Sequence, residues 1–252
     1  MEDMLWRFPH IGEQIFKKLS NKNIAKCRKV AKSWEHFIVN QRFYKQKVKF
    51  EMIQKQRTQR GWTELHLLAK FGNLQNCKEI VHNVEEKNPM DDSGTYTPLH
   101  IAAIGGYYEV CKLIVNNVGK KNPRNKHGQS PLHLAANMGH YEICKLIVNN
   151  VENKNPKANS GTTPLHWAAG SGHLSICQLI VNNVVDKNPE NKIGFTPLHE
   201  AALGGHFEIF KLIFENVEEK NPFNAKIKSP LQLATKYGHH QIADYIRSNT
   251  KI

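Results

Sequence analysis

The stretch Thr163-Pro164-Leu165-His166-Trp167-Ala168-Ala169-Gly170-Ser171-Gly172-His173 decides the fold. Its first four residues return as Thr97-Pro98-Leu99-His100, Ser130-Pro131-Leu132-His133 and Thr196-Pro197-Leu198-His199, always 33 residues apart. An altered copy, Ser229-Pro230-Leu231-Gln232, keeps that step, and a degenerate one, Thr63-Glu64-Leu65-His66, sits 34 residues before the first. Each residue type suits a helix start. A Ser or Thr hydroxyl can accept from the unpaired amides of the first turn, and Pro at the next position gives up only an amide that would lack a partner anyway. Gly139, Gly172, Gly205 and Gly238 follow where a left-handed residue can end a short helix. An apolar run comes next. In residues 141–148 it places Ile143, Leu146 and Ile147 on one face by the helical period. Six such units are visible, each a helix hairpin, and a period of this length predicts a stacked all-α solenoid.

Further outward, the second helix leads into Asn-Asn-Val in three units, and into His82-Asn83-Val84 or Glu215-Asn216-Val217 in two others, then two residues and Lys-Asn-Pro, with the prolines at 89, 123, 156, 189 and 222. A short polar stretch containing Gly94, Gly128, Gly161 or Gly194 follows, so an extended entry and a tight turn are expected. This pattern resembles the ankyrin repeat, whose motif G-x-T-P-L-H-x-A-A-x-x-G-H is matched by residues 161–173. The resemblance covers roughly residues 58–252. It implies antiparallel helix pairs with projecting β-turn or hairpin loops, stacked as repeats at about 58–90, 91–123, 124–156, 157–189, 190–222 and 223–252. The family's glycine after the second helix is replaced here by Val118, Val151, Val184 or Val217, so that corner has to be built differently. The sixth unit departs most: Ile227 replaces the turn glycine, Gln232 replaces the histidine, and Lys226, Lys228, Lys236 and Arg247 add charge. Terminal repeats need a wettable outer face, so this unit reads as a cap.

The first 60 residues lack the period and carry 15 Lys/Arg against 5 Asp/Glu, or +10 of the chain's net +13. Residues 8–19, 23–30 and 33–38 each read as a short amphipathic helix. The segment resembles an F-box: Phe8-Pro9, Ile15 and Leu19, then Ile24, Cys27, Val30 and Trp34 fall on that family's pattern. Phe8 stands for the usual Leu and Ala31 for a frequent second Cys, and both stay apolar. The resemblance implies a three-helix domain over 1–43 that docks a Skp-family adaptor, and through it a cullin, by way of Phe8, Pro9, Ile15, Leu19, Ile24, Cys27, Val30 and Trp34. A domain this small buries little core alone, so a partner that completes it is expected; the alternative is that the same residues form a private core against the first repeat. Residues 44–57, without Gly or Pro and with Tyr44, Val48 and Met52 at i, i+4 and i+8, predict a connecting helix.

Cys77, Cys111, Cys144 and Cys177 recur at one place in four second helices, and Phe210 fills it in the next, so the site wants bulk and not a thiol. Equivalent helices of stacked repeats lie about 8–10 Å apart, too far for disulfides. No apolar run approaches membrane length, and no signal-peptide or Asn-x-Ser/Thr pattern occurs; cytoplasm or nucleus is the expected location, with no membrane partner. His140/Cys144 and His173/Cys177 have the i, i+4 spacing of paired metal ligands, but a third ligand is lacking, so neither metal nor cofactor is expected. No phosphate loop, nucleophile elbow or catalytic carboxylate pair is present, so the chain is not expected to be an enzyme and no catalytic residue is assigned.

Recognition remains. The resemblance places partner binding on the turns and the open face of the first helices, where Trp62, Phe71, Tyr96, Ile104, His127, Met138, Phe195 and Leu203 differ between repeats and suit interface anchors; packing between repeats is the alternative for each. Trp167 is expected in the core, and Glu200 at the same place in the next repeat has no assigned role. The whole then implies the substrate-recognition subunit of an SCF-type cullin ubiquitin ligase, its array binding a target protein. A non-degradative scaffold or inhibitor that occupies the adaptor is the alternative. Nucleic-acid binding would rest only on the basic first segment, which lacks a groove-reading motif, and is not expected.

Overall fold

The computed structural model describes residues 61–223 and 228–250. The chain divides into two units, Met1–Lys55 and Gln56–Ile252, and every described residue belongs to the second. The three helices expected over 1–43, the expected adaptor-docking residues and the expected 44–57 connector therefore lie outside the described residues, as do Lys226 and Ile227.

Among the described residues there are twelve helices and no strand. They run α1 (Glu64–Lys70), α2 (Leu74–Val81), α3 (Pro98–Gly105), α4 (Tyr108–Asn117), α5 (Pro131–Met138), α6 (Tyr141–Val148), α7 (Pro164–Gly170), α8 (Leu174–Val181), α9 (Pro197–Gly204), α10 (Phe207–Glu215), α11 (Pro230–Tyr237) and α12 (His240–Asn249). Odd-numbered helices pack on one another in one layer, even-numbered helices in a second, and each odd helix packs on the even helix that follows it. The odd layer is close because its contact residues are small. Ala102, Ala103, Ala135, Ala136, Ala168, Ala169, Ala201 and Ala202 are all fully buried. The even layer contributes larger side chains from one face, such as Ile143, Cys144, Ile147 and Val148 of α6. Phe210 replaces the recurrent cysteine, is fully buried, and packs on Phe214 at 5.5 Å. The four described cysteines are free and buried.

The helix starts follow the motif atom by atom. Thr97, Ser130, Thr163, Thr196 and Ser229 are N-caps with extended backbone, followed by Pro. Two further groups complete each start. The Asn of Lys-Asn-Pro accepts from the amide of the motif's Leu: Asn122 from Leu132 at 3.2 Å, Asn155 from Leu165 at 3.1 Å, Asn188 from Leu198 at 3.0 Å. The histidine Nδ1 accepts from the cap residue's own amide, at 3.1 Å for Ser130/His133 and Thr163/His166. The chain thus satisfies two amides at each of these starts with side chains three and ten residues away.

Helices α3, α5, α9 and α11 end in a left-handed glycine, as the spacing predicts. Gly139 has φ 79°, and a Cβ there would come within 2.6 Å of the His173 ring, so the position needs glycine for both conformation and room.

The corner after each second helix has another construction. No residue other than glycine has positive φ among the described residues. Instead the Asn before each of Val118, Val151, Val184 and Val217 donates its side-chain amide to the carbonyl four residues back: Asn117 to Leu113, Asn150 to Leu146, Asn183 to Leu179 and Asn216 to Leu212, at 2.8–2.9 Å. Three of these Asn side chains also accept from a lysine of the preceding loop: Asn150 from Lys121, Asn183 from Lys154 and Asn216 from Lys187. An amide side chain thereby replaces the left-handed glycine in satisfying helix-end carbonyls.

Candidate functional site

The projecting turns are tight and tied to their neighbours. Each is closed by a backbone bond across it, as in Asn125 to Gln129 and Asn191 to Phe195, both 2.8 Å. Adjacent turns are joined by Lys126 to Gly94, Asn159 to His127 and Lys192 to Ser160. Inside the turns, Asp91, Asn125 and Asn191 point a side-chain oxygen at local amides; Asn125 Oδ1 accepts from His127 and Gln129. Asp91 makes the most of this. Burial pushes its carboxyl up, but donation from the Thr95 and Tyr96 amides, the Ser93 hydroxyl and the Trp62 indole more than offsets it and holds the pKa below the ordinary value.

Two sets of histidines join the repeats. Because Nδ1 of His100, His133 and His166 accepts from a backbone N–H, the proton sits on Nε2. Nε2 then donates to a carbonyl of the next repeat: Gln129, Thr162 and Phe195 respectively, at 3.1–3.2 Å. The second set reaches the other way. His140, His173, His206 and His239 donate from Nε2 to Ile104, Asn137, Gly170 and Leu203, the carbonyls near the ends of the preceding first helices. Burial is the leading cause that lowers the pKa of His100, His133, His166 and His199 to about 4. His199 alone lacks an acceptor: its Nε2 is the one buried side-chain polar atom without a hydrogen bond among the described residues. The carbonyl that the pattern assigns to it belongs to the altered turn before α11.

These contacts decide the other histidine and cysteine readings. His140 and His173 are committed to inter-repeat carbonyls, and burial pushes the Cys144 and Cys177 thiols up to about 12, so both pairs are packing elements. Among the described residues no group of three potential metal ligands occurs. No helix among them is long and apolar enough to cross a membrane.

The side chains expected to anchor a partner divide. Phe71 and Met138 are each 48 % exposed, and His127 is exposed at a turn tip. Tyr96, Ile104, Phe195 and Leu203 are half-buried; Phe195 stacks on His199 at 5.1 Å. Trp62 is a correction. It is 5 % exposed, lies 5.9 Å from His66 in a stacked arrangement, and donates to Asp91 at 3.3 Å, so it packs between repeats and offers no anchor. Trp167 is a second correction: it is half-buried, not core, with its ring against His133 at 5.5 Å. Tyr237, 49 % exposed, was not singled out by sequence, although it stands three 33-residue steps beyond Met138 and could have been found by that register.

The fold and its surfaces define a repeat protein built for binding. A family model described as ankyrin repeats (3 copies) matches residues 35–125, 118–191 and 183–252, and the chain belongs to that family. A model for the F-box domain matches residues 8–46. No curated protein matches the chain. Both modules serve protein–protein interaction rather than catalysis, so the architecture is that of an F-box protein whose repeats face a second protein.

Proposed function

We propose that this protein is the substrate-recognition subunit of an SCF-type cullin ubiquitin ligase. The observation that carries the reading is the F-box match at 8–46 on the same chain as an ankyrin-repeat array. The F-box docks a Skp-family adaptor through Phe8, Pro9, Ile15, Leu19, Ile24, Cys27, Val30 and Trp34. The array holds a target protein, using Phe71, Met138 and His127 with the half-buried Tyr96, Ile104, Phe195 and Leu203 beside them. Other subunits carry out ubiquitin transfer.

Co-purification of the full chain with a Skp-family adaptor tests this. The wild type should retain adaptor and cullin, and Leu19→Asp with Ile24→Asp should lose both while the array keeps its own partners. No affinity of the wild type for the adaptor, or affinity untouched by the double substitution, refutes the docking. Adaptor binding without ubiquitination of any array-bound protein would make the chain a non-degradative inhibitor or scaffold.

A further inference from the structure

The fourth position of each first helix forms a row across the array: Leu67, Ile101, Leu134, Trp167, Glu200 and Leu233. Four of the six are aliphatic and at most 8 % exposed. The two departures are adjacent, in α7 and α9, and both are half-buried. Glu200 extends back over α7: a Cβ built on Gly170 would lie 3.3 Å from its Oε2 and 3.6 Å from its own Cβ. The carboxylate therefore occupies the space that a side chain at 170 would fill, where other first helices carry Ile104, Asn137, Leu203 or Lys236. Trp167 precedes Gly170 by three residues on the same helix face, one turn away, with its ring against His133 of the preceding repeat.

Neither polar group has a partner within the described part of the protein. Among the described residues the Glu200 carboxylate has no hydrogen bond or ion pair, and the Trp167 indole N–H has no acceptor. The first helices from α3 to α9 read PLHIAAIG, PLHLAANM, PLHWAAG and PLHEAALG, without a lysine or arginine, so the layer supplies no counter-charge. The nearby His206 spends its Nε2 proton on the Gly170 carbonyl. Burial alone raises the Glu200 pKa, as expected for a carboxylate taken partly out of water without a partner. A single carboxylate cannot hold a metal ion, but it can pair with one guanidinium, whose plane also lies well on an indole.

We propose that Glu200, Trp167 and Gly170 form a subsite for one basic side chain of the target protein, arginine in preference to lysine. The Glu200 carboxylate accepts from the guanidinium, the Trp167 ring lies against its plane, and the missing side chain at Gly170 lets the carboxylate lie over α7. The inference rests on the proposed function, in which the array binds a target.

The test uses the full-length protein and four synthetic 12-residue peptide libraries that differ only in a fixed central residue: Arg, Lys, Gln or Glu. Wild type should retain the Arg library about tenfold over the Gln library, with Lys between, as for a partly desolvated ion pair. Glu200→Gln should erase the preference. Glu200→Leu should erase it too while raising the thermal midpoint by about 2–4 °C, because leucine restores the apolar row. That opposite movement of binding and stability separates a recognition residue from a packing one. Equal retention of all four libraries, or an arginine preference that survives Glu200→Leu, overturns the subsite and leaves target binding by the array standing. Retention of no library overturns both.

Discussion

Acid should dismantle the repeat array through its buried histidines. In the folded chain His100, His133 and His166 are held neutral to about pH 4, against an ordinary histidine near 6.5. Protonation would place a second N–H on Nδ1, where a backbone N–H already donates at 3.1–3.2 Å. The unfolded chain therefore binds more protons than the folded one between pH 6.5 and 4. Stability is full above 6.5 and falls as the pH drops through that window. At about 1.4 kcal/mol per pH unit, each histidine gives up about 3 kcal/mol across it, and three together about 10 kcal/mol. A domain stability of about 5–15 kcal/mol leaves little after that loss.

The sixth repeat supplies the control. Gln232 stands at the histidine position, and its Oε1 accepts from the Ser229 amide at 3.0 Å, so glutamine keeps the N-cap bond and cannot titrate. His133→Gln and His166→Gln should each cost about 1–2 kcal/mol at pH 7.5, because the bond to Thr162 or Phe195 in the next repeat is lost. Thermal midpoints followed by helical circular dichroism from pH 7.5 to 4 should then show a shallower acid slope, and the double variant, about 2–4 kcal/mol less stable at pH 7.5 but spared about 6 kcal/mol of acid loss, should overtake the wild type before pH 4. A slope between pH 6.5 and 4 that is unchanged in the double variant refutes the histidine account.

Gly161→Ala should destabilise the array by more than 1 kcal/mol, since φ is +84° and the new Cβ would lie 2.8 Å from the Lys192 amide; Gly119→Ala, with open space around it, should change the denaturant midpoint little. Asn155→Ala should cost about 1–3 kcal/mol by orphaning the Leu165 amide, more than Asn150→Ala, which exposes a helix-end carbonyl to water, and urea titration of the pair ranks them. Asp91→Asn should be mild at neutral pH, because Asn125 and Asn191 fill the same role in other turns, whereas Asp91→Ala should lose about 2 kcal/mol in the same titration.

First-helix starts could be read from sequence because cap, proline and histidine act within three residues of one another. The corner after the second helix could not. It depends on Asn150 reaching Leu146 and on Lys121 arriving from 29 residues upstream, and the valine in the glycine's place gives no hint of either. The same limit explains the misplaced tryptophans. Trp62 looked like a turn residue open to solvent, yet its burial is completed by Asp91 in the next repeat. Trp167 looked like core because its column is apolar, yet it is half-buried, with its ring against His133 and a glutamate next in the row. The exposed column was half legible: Phe71 and Met138 stand out as large residues among glycine and serine, and Tyr237 emerges once that register is applied to the last helix pair.

The polar residues of the motif make each repeat depend on both neighbours, and that dependence bears on where recognition can be carried. A middle repeat receives a histidine bond from each side and a backbone bond between turns, as at Thr162, Gly170 and Asn159. It can carry an unpaired carboxylate at Glu200 because its fold does not rest on that row alone. The terminal unit has no such reserve: Leu231 is half-buried where its counterparts are fully buried, and His199 reaches it without an acceptor. Substitutions that trade packing for binding are therefore tolerated best in the central repeats, where Trp167 and Glu200 are found. The same exchange placed at Leu233 in the last pair should cost folding before it yields any new contact.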